Sequence, residues 1–321
     1  MRPRHEGRTL PPVSTTRRRA DPRAAFGTGW DRLRRVSPWR GLWLVAHAWG
    51  VIGLALGASV LFPNPLVWLA AVVVIGARQL GVAILMHEAA HGLLHPDRRV
   101  NDLVGEWLCA APVGASLRRY RGYHLRHHRH AQTEDDPDLG LSAHFPVTRA
   151  SLRRKVVRDL TGQTFLKQRL GLFAARAAET RGDAVVGGQT YPVTPFLVTN
   201  AVLLALLASV GAGWAFLVWL AAMATWFPLA TRLRNIAEHA CVASDDDPYT
   251  HARTTHANSL ERALVAPYWV NHHAEHHLFM YLPCYRLPEA HRALRQRGLA
   301  SRIETAPGYL DVLRTCSARP A

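Results

Sequence analysis

Four apolar runs organise the chain into two pairs. Leu42–Phe62 is hydrophobic almost throughout, interrupted mainly by His47, and Leu66–Met86 is broken by Arg78 and Gln79. Each is close to the roughly 20 residues that cross the hydrocarbon core of a bilayer as a helix. Phe62–Pro65, reading FPNP, is a turn between them. The second pair is Phe196–Val210 and Trp214–Thr231, joined by the turn Gly211–Gly213, and Pro228 predicts a kink in its second member. The pattern predicts an all-α integral membrane fold: four transmembrane helices in two hairpins. An arginine inside a span is costly unless it faces protein or water, so Arg78 is expected to point inward. Leu103–Leu117 is too mixed to span and reads as a re-entrant or interfacial helix. Phe165–Glu179 carries Leu166, Leu170, Phe173 and Ala177 at helical spacing, which suits an amphipathic helix on a membrane and equally a soluble one.

Charge orients the hairpins. Net charge is +16, and every base except Lys155 and Lys167 is arginine, a bias that with abundant Ala, Leu and Gly suggests a GC-rich bacterial genome. A basic chain can bind nucleic acid or lie beside an anionic membrane. The apolar runs decide for the membrane, and no nucleic-acid partner is expected. The two short turns hold no Lys or Arg, whereas the flanks Arg32–Arg40 and Arg118–Arg181 are rich in them. Both termini and all long loops are therefore expected in the cytoplasm, in a multi-pass protein of a bacterial inner membrane. Residues 1–29, rich in Arg, Pro, Thr and Gly, read as a disordered basic arm before a membrane domain over 30–300 and a tail over 301–321. The start, MRPRHEGRTL, has no apolar core of a secretory signal. Cys109, Cys241, Cys284 and Cys316 form no CxxC pair, so neither a disulfide framework nor a thiolate zinc site is indicated.

Histidines carry the candidate chemistry. His273, His276 and His277 stand at i, i+3 and i+4, so their rings are expected on one helix face, and His124, His127 and His128 repeat the spacing. His87 and His91 stand at i, i+4, as do Asn235 and His239. The topology brings all four groups to the inner ends of the spans. Nine convergent imidazoles exceed the four ligands of a tetrahedral zinc and suit two metal ions with open positions. A bland alternative, histidines capping helices or lining a polar surface, accounts for single residues but not for the set.

HEAAH at 87–91, HLRHH at 124–128 and HAEHH at 273–277 resemble the three histidine boxes of the membrane fatty acid desaturase superfamily, which includes hydroxylases, ketolases and alkane oxygenases. The resemblance covers roughly residues 40–295. It implies two iron ions held by His87, His91, His124, His127, His128, His239, His273, His276 and His277, with Asn235 acting through water, and O2 as co-substrate. The implied reaction is oxidation of a lipid or fatty acyl chain, first of all desaturation. Hydroxylation or another oxidation of a hydrocarbon or terpenoid by the same centre is the alternative. No Cys₄ cluster, haem domain or dinucleotide fingerprint is visible, so a separate electron donor such as a ferredoxin is expected.

Three features stay open. HEAAH also matches HExxH of zinc proteases, intramembrane ones included, but that reading leaves both HxxHH groups unexplained; otherwise Glu88 orients a ligand ring. The acidic stretches Glu134–Asp138 and Asp245–Asp247 either hold histidines in place or are solvated turns. Trp226, Tyr268, Trp269 and Tyr281 either line a substrate tunnel or belong to core and interface.

Overall fold

The computed structural model describes residues 20–180, 193–243 and 247–318, and for 172–180 the backbone only. Among these, three helices are long and apolar enough to cross a membrane: Arg40–Leu61, Pro65–His91 and Gly213–His239. We label the helices used below α1 (Pro22–Phe26), α2 (Arg40–Leu61), α3 (Pro65–His91), α4 (Leu117–His130), α5 (Gln163–Thr180), α6 (Val193–Ser209), α7 (Phe216–Ala224), α8 (Trp226–His239), α9 (His273–Leu278) and α10 (Leu287–Gln296).

The first hairpin follows the apolar pattern closely. Asn64 ends the turn and caps α3, its side-chain oxygen accepting from the N–H groups of Leu66 and Val67 at 3.1 Å each, and Pro65 takes the first helical position. The helix runs through the first box and stops at Gly92, whose φ of +76° is left-handed. His91 therefore sits on the last turn of a rigid helix. In the second hairpin, the helix over the fourth run breaks at Thr225, which has ψ −74°, separating α7 from α8. Pro228 explains the position: it has no N–H for the Ala224 carbonyl one turn earlier. α6 has 17 residues, which falls short of the other three.

The membrane helices invert the soluble pattern. Leu54 and Leu66 are 76% and 79% exposed, whereas polar groups turn inward. Gln79 donates to the Trp219 carbonyl at 3.1 Å, and Trp219 donates to Asn200 at 2.8 Å. Arg78 is buried, as expected, donating to the Ala263 carbonyl and lying over the Tyr268 ring.

Beyond the spans the fold is helical with one small addition. Arg253–Thr255 pairs in parallel with Glu304–Ala306, three residues each, which is too short for a periodic signal. The second strand lies in the stretch read as a tail. At the other end, residues 1–19 of the basic arm lie outside the described residues. Its last part is helical, and Phe26 of α1 packs edge-on against Phe279 at 4.6 Å between ring centres. Leu103–Leu117 resolves into a π-helical turn, Gly105–Ala110, and a 3₁₀ turn, Ala111–Val113. The amphipathic segment is helical as α5, with Leu166 and Leu170 exposed; Phe173 and Ala177 lie outside the described side chains.

α2 approaches the end of α3 through Gly41. A Cβ placed there falls 2.0 Å from the Leu94 carbonyl oxygen, whereas one on Gly53 of the same helix meets nothing within 4 Å. Gly41→Ala is expected to destabilise the protein by about 1–3 kcal/mol through forced separation of backbones. Gly53→Ala is expected to be neutral or slightly stabilising. Thermal unfolding in detergent checks the pair, and equal midpoints would refute the close approach.

Candidate metal centre

The nine histidines of the sequence pattern meet in two groups. His87, His91, His124, His128 and His276 form one, and His127, His239, His273 and His277 the other; within each group one ring nitrogen per residue lies within 4.8 Å of the rest. The structure corrects one expectation. Each HxxHH triplet does not present a single face. His124 and His128 join the first group while His127 crosses to the second; His273 and His277 join the second while His276 crosses to the first. Helix geometry explains it. At about 100° per residue, i+4 lies near i, but i+3 and i+4 diverge by about 100°. The i+3 residue of each box therefore reaches across, and α4 and α9 each serve both groups.

The Nε2 atoms have the spacing of a coordination sphere. His124 Nε2 is 3.0 Å from both His91 Nε2 and His128 Nε2, and His128 Nε2 is 3.0 Å from His276 Nε2. In the second group His239 Nε2 lies 3.2 Å from His127 Nε2 and 2.9 Å from His273 Nε2. Ligands at right angles around an ion with bonds of about 2.0–2.1 Å stand about 2.9 Å apart.

Outer partners fix which nitrogen points inward. Asp136 Oδ1 takes the Nδ1–H of His127 at 2.7 Å, and the His251 carbonyl takes that of His239 at 3.2 Å. Both partners can only accept, so each neutral ring turns an Nε2 lone pair toward the other. Two lone pairs facing at 3.2 Å need positive charge between them, a proton or a metal ion. In the first group, both ring nitrogens of His87 and the Nδ1 atoms of His91 and His276 are buried with no hydrogen-bond partner. The donor set fits metal.

Electrostatics agree. Burial, followed by repulsion from neighbouring imidazoles, holds His124, His128, His273 and His277 well below the usual imidazole range. His276 is lowered likewise, by burial first. These rings stay neutral, the form that binds metal. His127 is raised instead: burial is the largest single influence and opposes its charge, but the hydrogen bond to Asp136 and the charges of Asp136, Asp138 and Glu238 together outweigh it.

The carboxylates sort themselves. Asp136 is buried and also accepts from the N–H groups of Gln132 and Asp138 at 2.8 Å each. Glu134 and Asp135, its neighbours in the acidic stretch, are exposed. Asp247 pairs with Arg302 on the surface, and Asp245 and Asp246 lie outside the described residues. Glu238, which sequence reading missed, pairs with Arg234 at 2.6 Å and lies 3.3 Å from His273 Nδ1. Its one visible signal was the i, i+4 spacing from Arg234. Glu88 accepts the Cys284 N–H at 2.7 Å and is buried, so it is not aimed at a water as a protease base must be. Its histidines belong to a group of five, which removes the protease reading.

A cavity of about 390 Å³ opens onto both groups. Leu80, Ala83, Met86 and Phe227 give its apolar wall; His124, His127, His239 and His273 its metal-facing end; Asn235 stands among them. Of the four aromatics, Trp226 packs in the core, Tyr268 and Trp269 line a different cavity beside Arg78, and Tyr281 borders one beside His128 and His277.

Comparison with known proteins agrees with this geometry. The family described as "Fatty acid desaturase" matches residues 63–306. A beta-carotene ketolase of Paracoccus sp. (strain PC1) is 27% identical over 256 residues, covering 78% of this chain and 88% of that protein. A beta-carotene ketolase of Paracoccus sp. (strain N81106 / MBIC 01143) is 41% identical over 61 residues, 19% of this chain and 25% of that one.

Proposed function

This chain belongs to the fatty acid desaturase family, and from that premise we propose that it oxidises a methylene of a carotenoid-like, ring-bearing hydrocarbon with O2 and two iron ions. The observation that carries the reading is the cavity, walled by Leu80, Ala83, Met86 and Phe227, that reaches ligands of both histidine groups. The ketolase relatives move this chemistry ahead of the acyl desaturation that the sequence alone ranks first. Desaturation of a fatty acyl chain stays as the second reading, favoured by the family's description.

His87, His91, His124, His128 and His276 would hold one ion, and His127, His239, His273 and His277 the other, with Asn235 acting on it through water. Such a pair would supply activation of oxygen, with electrons from a donor, for attack on an unactivated C–H bond. The protein's own residues do the rest. Leu80, Ala83, Met86 and Phe227 receive the apolar substrate and exclude water, so one methylene is held beside the histidines. Asp136, Glu238 and the His251 carbonyl hold the ligand rings in one tautomer and orientation. Electrons come from a separate protein such as a ferredoxin, docking on the basic face. Expression in a carotenoid-producing bacterium, with mass spectrometry of extracted pigments and lipids, tests the reading. A pigment that has gained one oxygen and lost two hydrogens supports it. Unchanged pigments together with a fatty acid that has lost two hydrogens favour the second reading.

We also infer four spans, with α6 opening the second hairpin, and a site that faces the cytoplasm of an inner membrane. The basic flanks and uncharged turns support this. Single cysteines at Asn64 and Val210, both exposed, are expected to label from outside intact cells with an impermeant reagent. One at the exposed Ser301 is expected to label only after lysis. Labelling of Ser301 in intact cells would overturn the orientation.

A further inference from the structure

A third constellation stands behind the last histidine box. His272, Glu275 and His291 each contribute one ligand atom to a group in which all lie within 4.8 Å of one another. His291 Nδ1 is 2.6 Å from Glu275 Oε1, and His272 Nδ1 is 3.7 Å from Glu275 Oε2. These separations bracket the edge of about 3.3 Å expected for a four-coordinate ion with bonds of about 2.0–2.1 Å.

The surroundings ask for a cation. The Glu275 side chain is fully buried, and those of His291 and His272 are nearly so. Among the described residues no Lys or Arg pairs with Glu275; its ion-pair partners are these two imidazoles. Thr254 Oγ1 donates to Oε2 at 2.5 Å. A proton shared between His291 and Glu275 satisfies one ring only. His272 Nδ1 is buried and faces Glu275 Oε2 at 3.7 Å, beyond hydrogen-bond length, with no hydrogen bond of its own. A buried carboxylate between two imidazoles is a common zinc donor set, and an unsatisfied buried nitrogen is costly without an ion to bind.

We propose that His272, Glu275 and His291 bind a zinc ion, distinct from the two-metal centre, that clamps the third box to its supporting elements. His272 and Glu275 flank and interrupt the ligand sequence of α9, His291 comes from α10, and Thr254 from the strand Arg253–Thr255. Zinc replaces the proton between His291 Nδ1 and Glu275 Oε1, which leaves to solvent. A further imidazole, that of the exposed His256, has its ring 5.8 Å from that of His291. The ion does no redox chemistry; it fixes the helix that carries His273, His276 and His277.

Metal analysis of the full-length protein, purified in detergent from cells supplied with iron and zinc, tests this. The expected result is about one zinc per chain, lost in His291→Ala while iron is kept, and kept in His239→Ala while bound iron falls toward half. Absence of zinc, zinc that survives His291→Ala, or zinc that leaves with His239→Ala would overturn the proposal. If His291→Ala does not fold, zinc-edge X-ray absorption of the unaltered protein decides. Two imidazoles with a carboxylate oxygen support the site, and an all-imidazole shell refutes it. Either outcome is independent of which hydrocarbon the enzyme oxidises.

Discussion

Replacing His239 by alanine is expected to abolish product formation and lower bound iron toward half. His239 belongs to the group of four, the smaller of the two, and its Nε2 faces both His127 and His273. Its loss leaves three imidazoles and a lone-pair partner without its opposite. The ring is held by the His251 carbonyl rather than by another box, so its removal leaves the spans untouched. His276→Ala is expected to do the same to the group of five, again below detection in activity but with a larger share of iron retained, since four ligands remain. The exposed His144→Ala is the matched control and keeps full activity. Product analysis and iron content check all three. Full iron and full activity in His239→Ala would show that the second group does not hold metal.

The second large effect belongs to a residue that never touches metal. Asp136→Ala is expected to cut activity about 10–100-fold and to weaken metal binding comparably. Asp136 fixes the His127 tautomer through a 2.7 Å hydrogen bond and organises its own loop by accepting two backbone N–H groups. Asn in its place restores the acceptor toward His127 but turns an N–H₂ toward the Gln132 N–H. Asp136→Asn is therefore expected to recover only part of the loss. Iron retention against chelator, measured beside turnover, separates this orienting role from simple misfolding. Equal chelator resistance in Asp136→Ala and the unaltered protein would refute it.

What was legible in the sequence follows from range. The i, i+3, i+4 spacing is local, so all nine histidines and the helix continuing through His87–His91 could be read directly. The first hairpin was legible because apolar runs and a Pro-Asn-Pro turn are local too. That the i+3 residue parts from i and i+4 is local as well, but which group each side joins was not legible, because it depends on the azimuth of α4 against α9, which only packing sets. Asp136 was one of several equal carboxylates until burial separated it from Glu134 and Asp135. Glu238 looked like half of an ordinary helix ion pair. The strand Arg253–Thr255 had no signal at all, because its partner lies some fifty residues away in what reads as a tail.

The crossing of His127 and His276 has a consequence for how the centre is assembled. Because α4 and α9 each donate to both groups, neither subsite can be completed without drawing in the frame of its neighbour. Filling the first aligns donors for the second and removes part of its ordering cost. Metal uptake by the apoprotein is thus expected to be paired: an iron titration should rise sigmoidally, with singly loaded chains scarce at half saturation.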